Sequence, residues 1–193
     1  MTQIMTFSYN TKTFLISLLA IVLLTSCSKE EESTPLDNSL VNVKLVGTDT
    51  QLSQLNLEIL EVQLRVLEDE TDPNAWISLN TMNTGVHDLT RFSGNHVLTL
   101  VDFEQVPAEF IYNIKIVFGD NNSVVKNNLE YVVDVESEYG YASVNVLEKQ
   151  LVENKLYEFT VEMNIDDSVR FSSGNEVKLN PKTSTLMRLY NLF

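Results

Sequence analysis

The chain has 193 residues, one cysteine, and 27 acidic against 13 basic side chains, a formal net charge of −14. That length suits one ordinary domain with a sizeable core. The single cysteine excludes an internal disulfide and a cysteine-built metal site, and the acidic balance disfavours nucleic acid and anionic headgroups.

Residues 1–13 are polar and carry one positive charge, Lys12; residues 14–24 form an apolar run of eleven interrupted only by Ser17; Leu24-Thr25-Ser26-Cys27 follows. A basic n-region, a short apolar region and small residues at a cut make a secretory signal. A spanning helix needs about 20 apolar residues, so this run is too short for permanent residence. Either Met1 or Met5 can start the leader. Leu-Thr-Ser-Cys resembles the lipobox of bacterial lipoproteins. The resemblance implies removal of residues 1–26, a diacylglycerol on the Cys27 thiol and a third acyl chain, such as palmitate, on the new amino group. Alternatives are a non-lipid signal peptide or an anchor with an incidental cysteine.

Residues 27–38 then read as a lipidated tether: residues 28–38 are polar, charged and contain Pro35. Ser28-Lys29-Glu30-Glu31-Glu32 is similar to the surface-export signal of lipoproteins in one large phylum of Gram-negative bacteria. It implies a position on the outer face of the outer membrane; an ordinary solvated tether, and a periplasm-facing protein, is the alternative.

From residue 39 to 193 the pattern is that of a single all-β domain. Val41, Val43 and Leu45 share one face. Leu60, Val62, Leu64 and Val66 alternate with polar residues, as do Tyr157, Phe159, Val161, Met163 and Ile165. Phe110, Tyr112, Ile114, Ile116 and Phe118 make another period-two series, and Tyr131, Val133 and Val135 a shorter one. Such half-buried strands belong to antiparallel sheets. Glu58-Ile59-Leu60-Glu61 breaks the alternation, which a β-bulge or a strand covered on both faces explains. Turns fall at Asp72-Pro73-Asn74, Gly119-Asp120-Asn121-Asn122 and Ser172-Ser173-Gly174-Asn175. No 3.6-residue period supports a long helix; residues 86–92 suit one short turn with Asp88 near its start. Many short strands with regular turns predict an antiparallel β-sandwich, immunoglobulin-like or prealbumin-like.

The order of motifs carries a further resemblance. Trp76-Ile77-Ser78-Leu79 precedes Asp88-Leu89; the Tyr112-Asn113-Ile114 strand follows; Asp166-Asp167-Ser168-Val169 leads to Leu179-Asn180-Pro181. Over residues 40–182 this resembles the domain-of-unknown-function 4382 family of bacterial lipoproteins. It departs from that family where Gly47-Thr48-Asp49 replaces the usual Asp-Ala-Pro. The resemblance implies a β-sandwich and a cell-envelope location, and brings no catalytic residue.

Chemistry-bearing residues are sparse. His87 and His96 match no zinc spacing, and no nucleophile elbow or phosphate-cradling loop is present. Asp69, Asp72, Asp120, Asp166 and Asp167 lie in oxygen-rich turns that calcium could use, without the spacing of an EF-hand. Trp76, the only tryptophan, reads as a core anchor, with ligand stacking as the alternative. These residues point to a non-enzymatic binding or accessory module, meeting an envelope protein or glycan through an exposed apolar or aromatic patch. The rival is an envelope hydrolase, carbohydrate-active for example, using two unrecognised carboxylates.

Overall fold

The computed structural model describes residues 38–137, 140–172 and 176–192. The leader, Cys27 and residues 28–32 lie outside the described residues. Thirteen strands follow one another: β1 (Asn38–Gly47), β2 (Gln54–Arg65), β3 (Trp76–Ser78), β4 (Gly85–Asp88), β5 (Leu98–Pro107), β6 (Phe110–Phe118), β7 (Ser123–Lys126), β8 (Leu129–Val135), β9 (Ala142–Gln150), β10 (Lys155–Met163), β11 (Val169–Phe171), β12 (Val177–Leu179) and β13 (Thr183–Asn191). The helical content among the described residues is a 3-10 turn, Leu89–Arg91, and the single-turn α1, Ile165–Ser168. Asp88 caps the first, its side chain accepting from Thr90 N, and Asn164 caps the second by accepting from Asp167 N.

The strands build a two-layer sandwich. The smaller sheet runs β13-β10-β1-β5; the larger runs β11-β12-β8-β7-β2-β6-β9, with β3 and β4 on the other edge of β2. The expected antiparallel rule holds for most pairs, but β1–β10 and β8–β12 are parallel. Both parallel pairs join segments distant in sequence, where no hairpin turn dictates direction. The core lies between the layers. Val41, Val43 and Leu45 stand beside Tyr157, Phe159 and Val161 and face Leu57, Ile59, Val62, Leu64, Ile114 and Ile116, all fully buried or nearly so. Each such large side chain contributes roughly 1.5–3 kcal/mol relative to exposure. Among the described residues every member of the core lies between Val41 and Leu179, with Met187 packed against them, so the body encloses its own core.

Two bulges shift the expected faces. Along the β2–β6 ladder Ile59 pairs Phe118 and Glu61 pairs Val117, so Leu60 is an extra residue. The buried phase is 55, 57, 59 before it and 62, 64 after it, and Leu60 points out. Of the two explanations for the broken alternation, the bulge is the one present. The second lies between β6 and β9, where Ile111 pairs Lys149 and Asn113 pairs Val146. Ile111 is therefore the core residue, while Phe110 and Tyr112 turn away from the core face occupied by Ile114 and Ile116.

Candidate functional site

β6 and β7 both pair with the same edge of β2, one with residues 59–65 and the other with residues 54–56. They are one long strand interrupted by Gly119, Asp120, Asn121 and Asn122. The interruption is fastened from both sides. Gly119 N donates to Glu58 O at 2.8 Å, Asn121 N to Glu58 Oε2 at 3.0 Å, and Glu58 N to Asn122 Oδ1 at 2.9 Å. Asn122 is buried and its amide also donates to Gly119 O at 2.7 Å. The Glu58 side chain crosses directly over Gly119, where a Cβ would fall 2.0 Å from Oε2 and 2.9 Å from Cγ, so only glycine fits without moving it.

This fastened loop and the Leu60 bulge enclose an open depression of about 610 Å³ lined by Leu60, Val117, Tyr141, Glu58, Asp120 and Asn121 among others. Leu60 is 49% exposed and Tyr141 59% exposed. A bulge re-aims a side chain and recurs beside functional sites. Here it removes a leucine from the core and sets it beside a tyrosine with an acidic rim.

Trp76 occupies a different part of the large sheet. It pairs with Arg65, next to inward-facing Leu64, so its ring lies on the outer face. Lys115 Nζ stands 3.8 Å from the ring centroid. Trp76 is thus half-buried on the outer face, and its neighbour Ile77 packs against the core instead. The core-anchor reading fails because β3 pairs in the register that turns Ile77 inward. Nearby, Arg65 donates Nε to Asn113 Oδ1 at 2.6 Å and lies over the Tyr112 ring at 5.1 Å.

Burial lowers the Lys115 ammonium pKa below its ordinary 10.5, and the Glu61 carboxylate opposes the shift. The unfolded chain therefore holds this proton to higher pH than the folded one. Between the folded value and 10.5, stability gains from rising pH through this group. Urea titrations of the wild type and Lys115→Met should converge or diverge in that alkaline window, the wild type rising relative to the variant. Parallel stability curves through the window would disprove the assignment.

The five aspartates stand in three separate places. Asp69 and Asp72 share the β2–β3 loop and hold it together: Asp69 Oδ1 accepts from Thr71 N at 2.9 Å and Thr71 Oγ1 at 2.7 Å, and Asp72 Oδ1 from Asn74 N at 2.7 Å. The Thr71 hydrogen bonds draw the Asp69 carboxyl below its ordinary pKa. Asp166 accepts from Thr50 Oγ1 at 2.5 Å, and Asp167 from the Asn164 amide at 2.6 Å, around α1. Asp120 alone lines the depression. Among the described residues no three His, Cys, Asp or Glu side chains converge as a metal site. His87 Nε2 lies 2.7 Å from Asn83 O, and His96 is exposed in a turn.

Leu60, Glu58, Gly119 and Tyr141 were not singled out from sequence as a site. The first three fall in the broken alternation at 58–61 and the turn at 119–122, which nothing local places together, and Tyr141 carries no sequence signal.

The profile of a family described as "Domain of unknown function (DUF4382)" matches residues 38–181. The chain belongs to the DUF4382 family. The DUF4382 match runs from the first residue of β1 to just beyond β12, so it contains the bulge, the fastened loop and Trp76, while β13 follows it. No curated protein and no solved structure matches the chain. Among the described residues no helix is long and apolar enough to cross a membrane.

Proposed function

We propose that this DUF4382 protein is a lipid-anchored envelope protein whose body is a non-enzymatic binding module. Its contact surface is the depression between Leu60 and Tyr141. The observation that carries the reading is the ejected Leu60. Leu60, exposed on β2, and Tyr141, exposed in the bend just before β9, form an apolar and aromatic patch ringed by polar groups; tyrosine is among the residues that anchor interfaces, and the fastened loop means little ordering entropy is lost on contact. Anchorage through Cys27 is supported by the short apolar leader and by the small residues before the thiol. Three acyl chains at about 0.8 kcal/mol per buried CH₂ make release negligible. The Lys29-Glu30-Glu31-Glu32 run favours the outer face of the outer membrane over the periplasmic one.

The hydrolase reading has one observation in its favour: Glu58 and Asp120 line the same depression. An open surface hollow lacks the enclosure by which enzymes exclude water and strengthen their electrostatics, so binding is the better reading.

The test is a photoreactive side chain at Tyr141 in cells, with Arg170 on exposed β11 as control, alongside intact mass of the membrane form. One discrete envelope component should cross-link at 141 only, and Leu60→Asp should remove it. Cys27→Ala should leave the chain unacylated and soluble. Equal cross-linking at both positions, or an unmodified Cys27 in the native membrane fraction, would overturn the corresponding half of the reading.

A further inference from the structure

A sheet edge is a row of unpaired N–H and C=O groups, and proteins guard such rows with bulges, charges, proline, short length or a covering segment. Nearly every edge here is guarded. β5 carries two register shifts against β1, the left-handed residue Phe103, the charges Asp102 and Glu104, and Pro107 at its end. Its outer carbonyls are also covered, Leu100 O by Met82 N at 2.8 Å and Thr99 O by the Asn83 amide at 2.9 Å. β9 has a bulge, a left-handed Glu148 and the charges of Glu148 and Lys149. β3, β4 and β11 are only three or four residues long.

Among the described residues β13 has none of these devices. It runs nine residues in an uninterrupted ladder with β10, without a register shift. It contains no proline, glycine or acidic residue, and its one charge is Arg188. Leu186 is 57% exposed, Leu189 49% and Tyr190 42%. One face of β13 meets the body through Thr183, whose Oγ1 lies 2.8 Å from Ser143 Oγ, the buried Thr185 hydroxyl and Met187.

We infer that β13 pairs antiparallel with β13 of a second copy, about a two-fold axis at Met187, joining two four-stranded sheets. Met187 is the middle of the strand, so this register uses its whole length. It sets Arg188 opposite the partner copy's Leu186 and Tyr190 opposite its Ser184; centring on Arg188 would place like charges face to face, which destabilises a ladder. Paired residues share a face, so Leu186 and Tyr190 are covered on one side and Leu189 on the other. The contact is isologous and closes at two copies. Because backbone hydrogen bonds and apolar contacts drive it while both bodies are strongly acidic, added salt should tighten the dimer by screening repulsion, the opposite of an ion-pair interface.

The experiment uses the chain from Ser28 onward, which holds the whole core and no cysteine. Light scattering should show a concentration-dependent dimer that strengthens with salt. Leu186→Lys and Leu189→Lys, both on exposed side chains, should yield monomer that melts where the wild type does when diluted to monomer. A lone Met187→Cys should cross-link to itself, since facing Cα atoms about 4.5–5.5 Å apart are within disulfide reach, whereas Ser184→Cys should not. A wild type that stays monomeric up to millimolar concentration overturns the inference, as does a dimer indifferent to both lysines and to Met187→Cys oxidation.

Discussion

Phe159→Ala should destabilise the body by roughly 3–5 kcal/mol. Phe159 is fully buried at the centre of β10, an interior strand of the small sheet. In its own layer it stands between Val43 of β1 and Met187 of β13, and its ring stacks 6.4 Å from that of Tyr157. Alanine removes both its dispersion contacts and the filling between two layers that hydrogen-bonded ladders keep apart, so the cavity cannot collapse. A domain of this size has about 5–15 kcal/mol in total, so the variant should melt roughly 6–20 °C lower. Urea denaturation should show the midpoint falling with little change in slope. A loss under about 1 kcal/mol would mean that the two sheets do not meet at Phe159.

Gly47→Ala should cost about 1–3 kcal/mol by overpacking, and Gly47→Val more. Gly47 ends β1 where the 3-10 turn and α1 converge. A Cβ there would stand 2.6 Å from Ile165 Cδ1 and 3.1 Å from both Cγ and the carbonyl oxygen of Leu89. None of these can yield easily. Ile165 and Leu89 are core residues, the Leu89 carbonyl accepts from Phe92 N at 3.0 Å, and Gly47 N itself donates to Phe92 O at 2.7 Å. Next to it Thr48 Oγ1 accepts from Ile165 N at 3.1 Å, tying β1 to α1. This is a physical role for Gly47 and Thr48 at the end of β1. Ile165→Val removes the atom nearest the new Cβ, so Gly47→Ala and Ile165→Val together should cost less than their sum. Strict additivity of the two losses would refute the proposed clash.

Gly47 and Gly119 show why composition alone says little about a glycine. Both lie under a neighbour's close approach, Gly47 under buried apolar side chains and Gly119 under the flexible Glu58 side chain, which a Cβ would displace. Neither neighbour is near in sequence to the glycine it constrains.

The strands around Val41 and Phe159 were legible because a period of two records burial directly wherever a ladder is regular. So were Asp88 as a helix-turn cap and the interruption at Leu60, since capping chemistry and a broken alternation are local. Tyr112 and Trp76 were misread for a common reason. The face on which a strand residue falls is set by the register of its partner, and a one-residue bulge in that partner reverses it. β9 supplies such a bulge opposite Ile111–Asn113, and β3 takes the register that sends Ile77 inward.

Chain chemistry alone, read in windows of a few residues, determined the all-β body and the breaks between its strands, because periodicity and turn preference are short-range properties. Only the folded arrangement decided which residues share a surface. Leu60 shares a depression with Tyr141 through a bulge and a loop fastened by Glu58, and among the described strands β13 is left unguarded where the other edges found a bulge, a cover or an early end. Those outcomes depend on pairings between strands tens of residues apart, whose register no local pattern encodes.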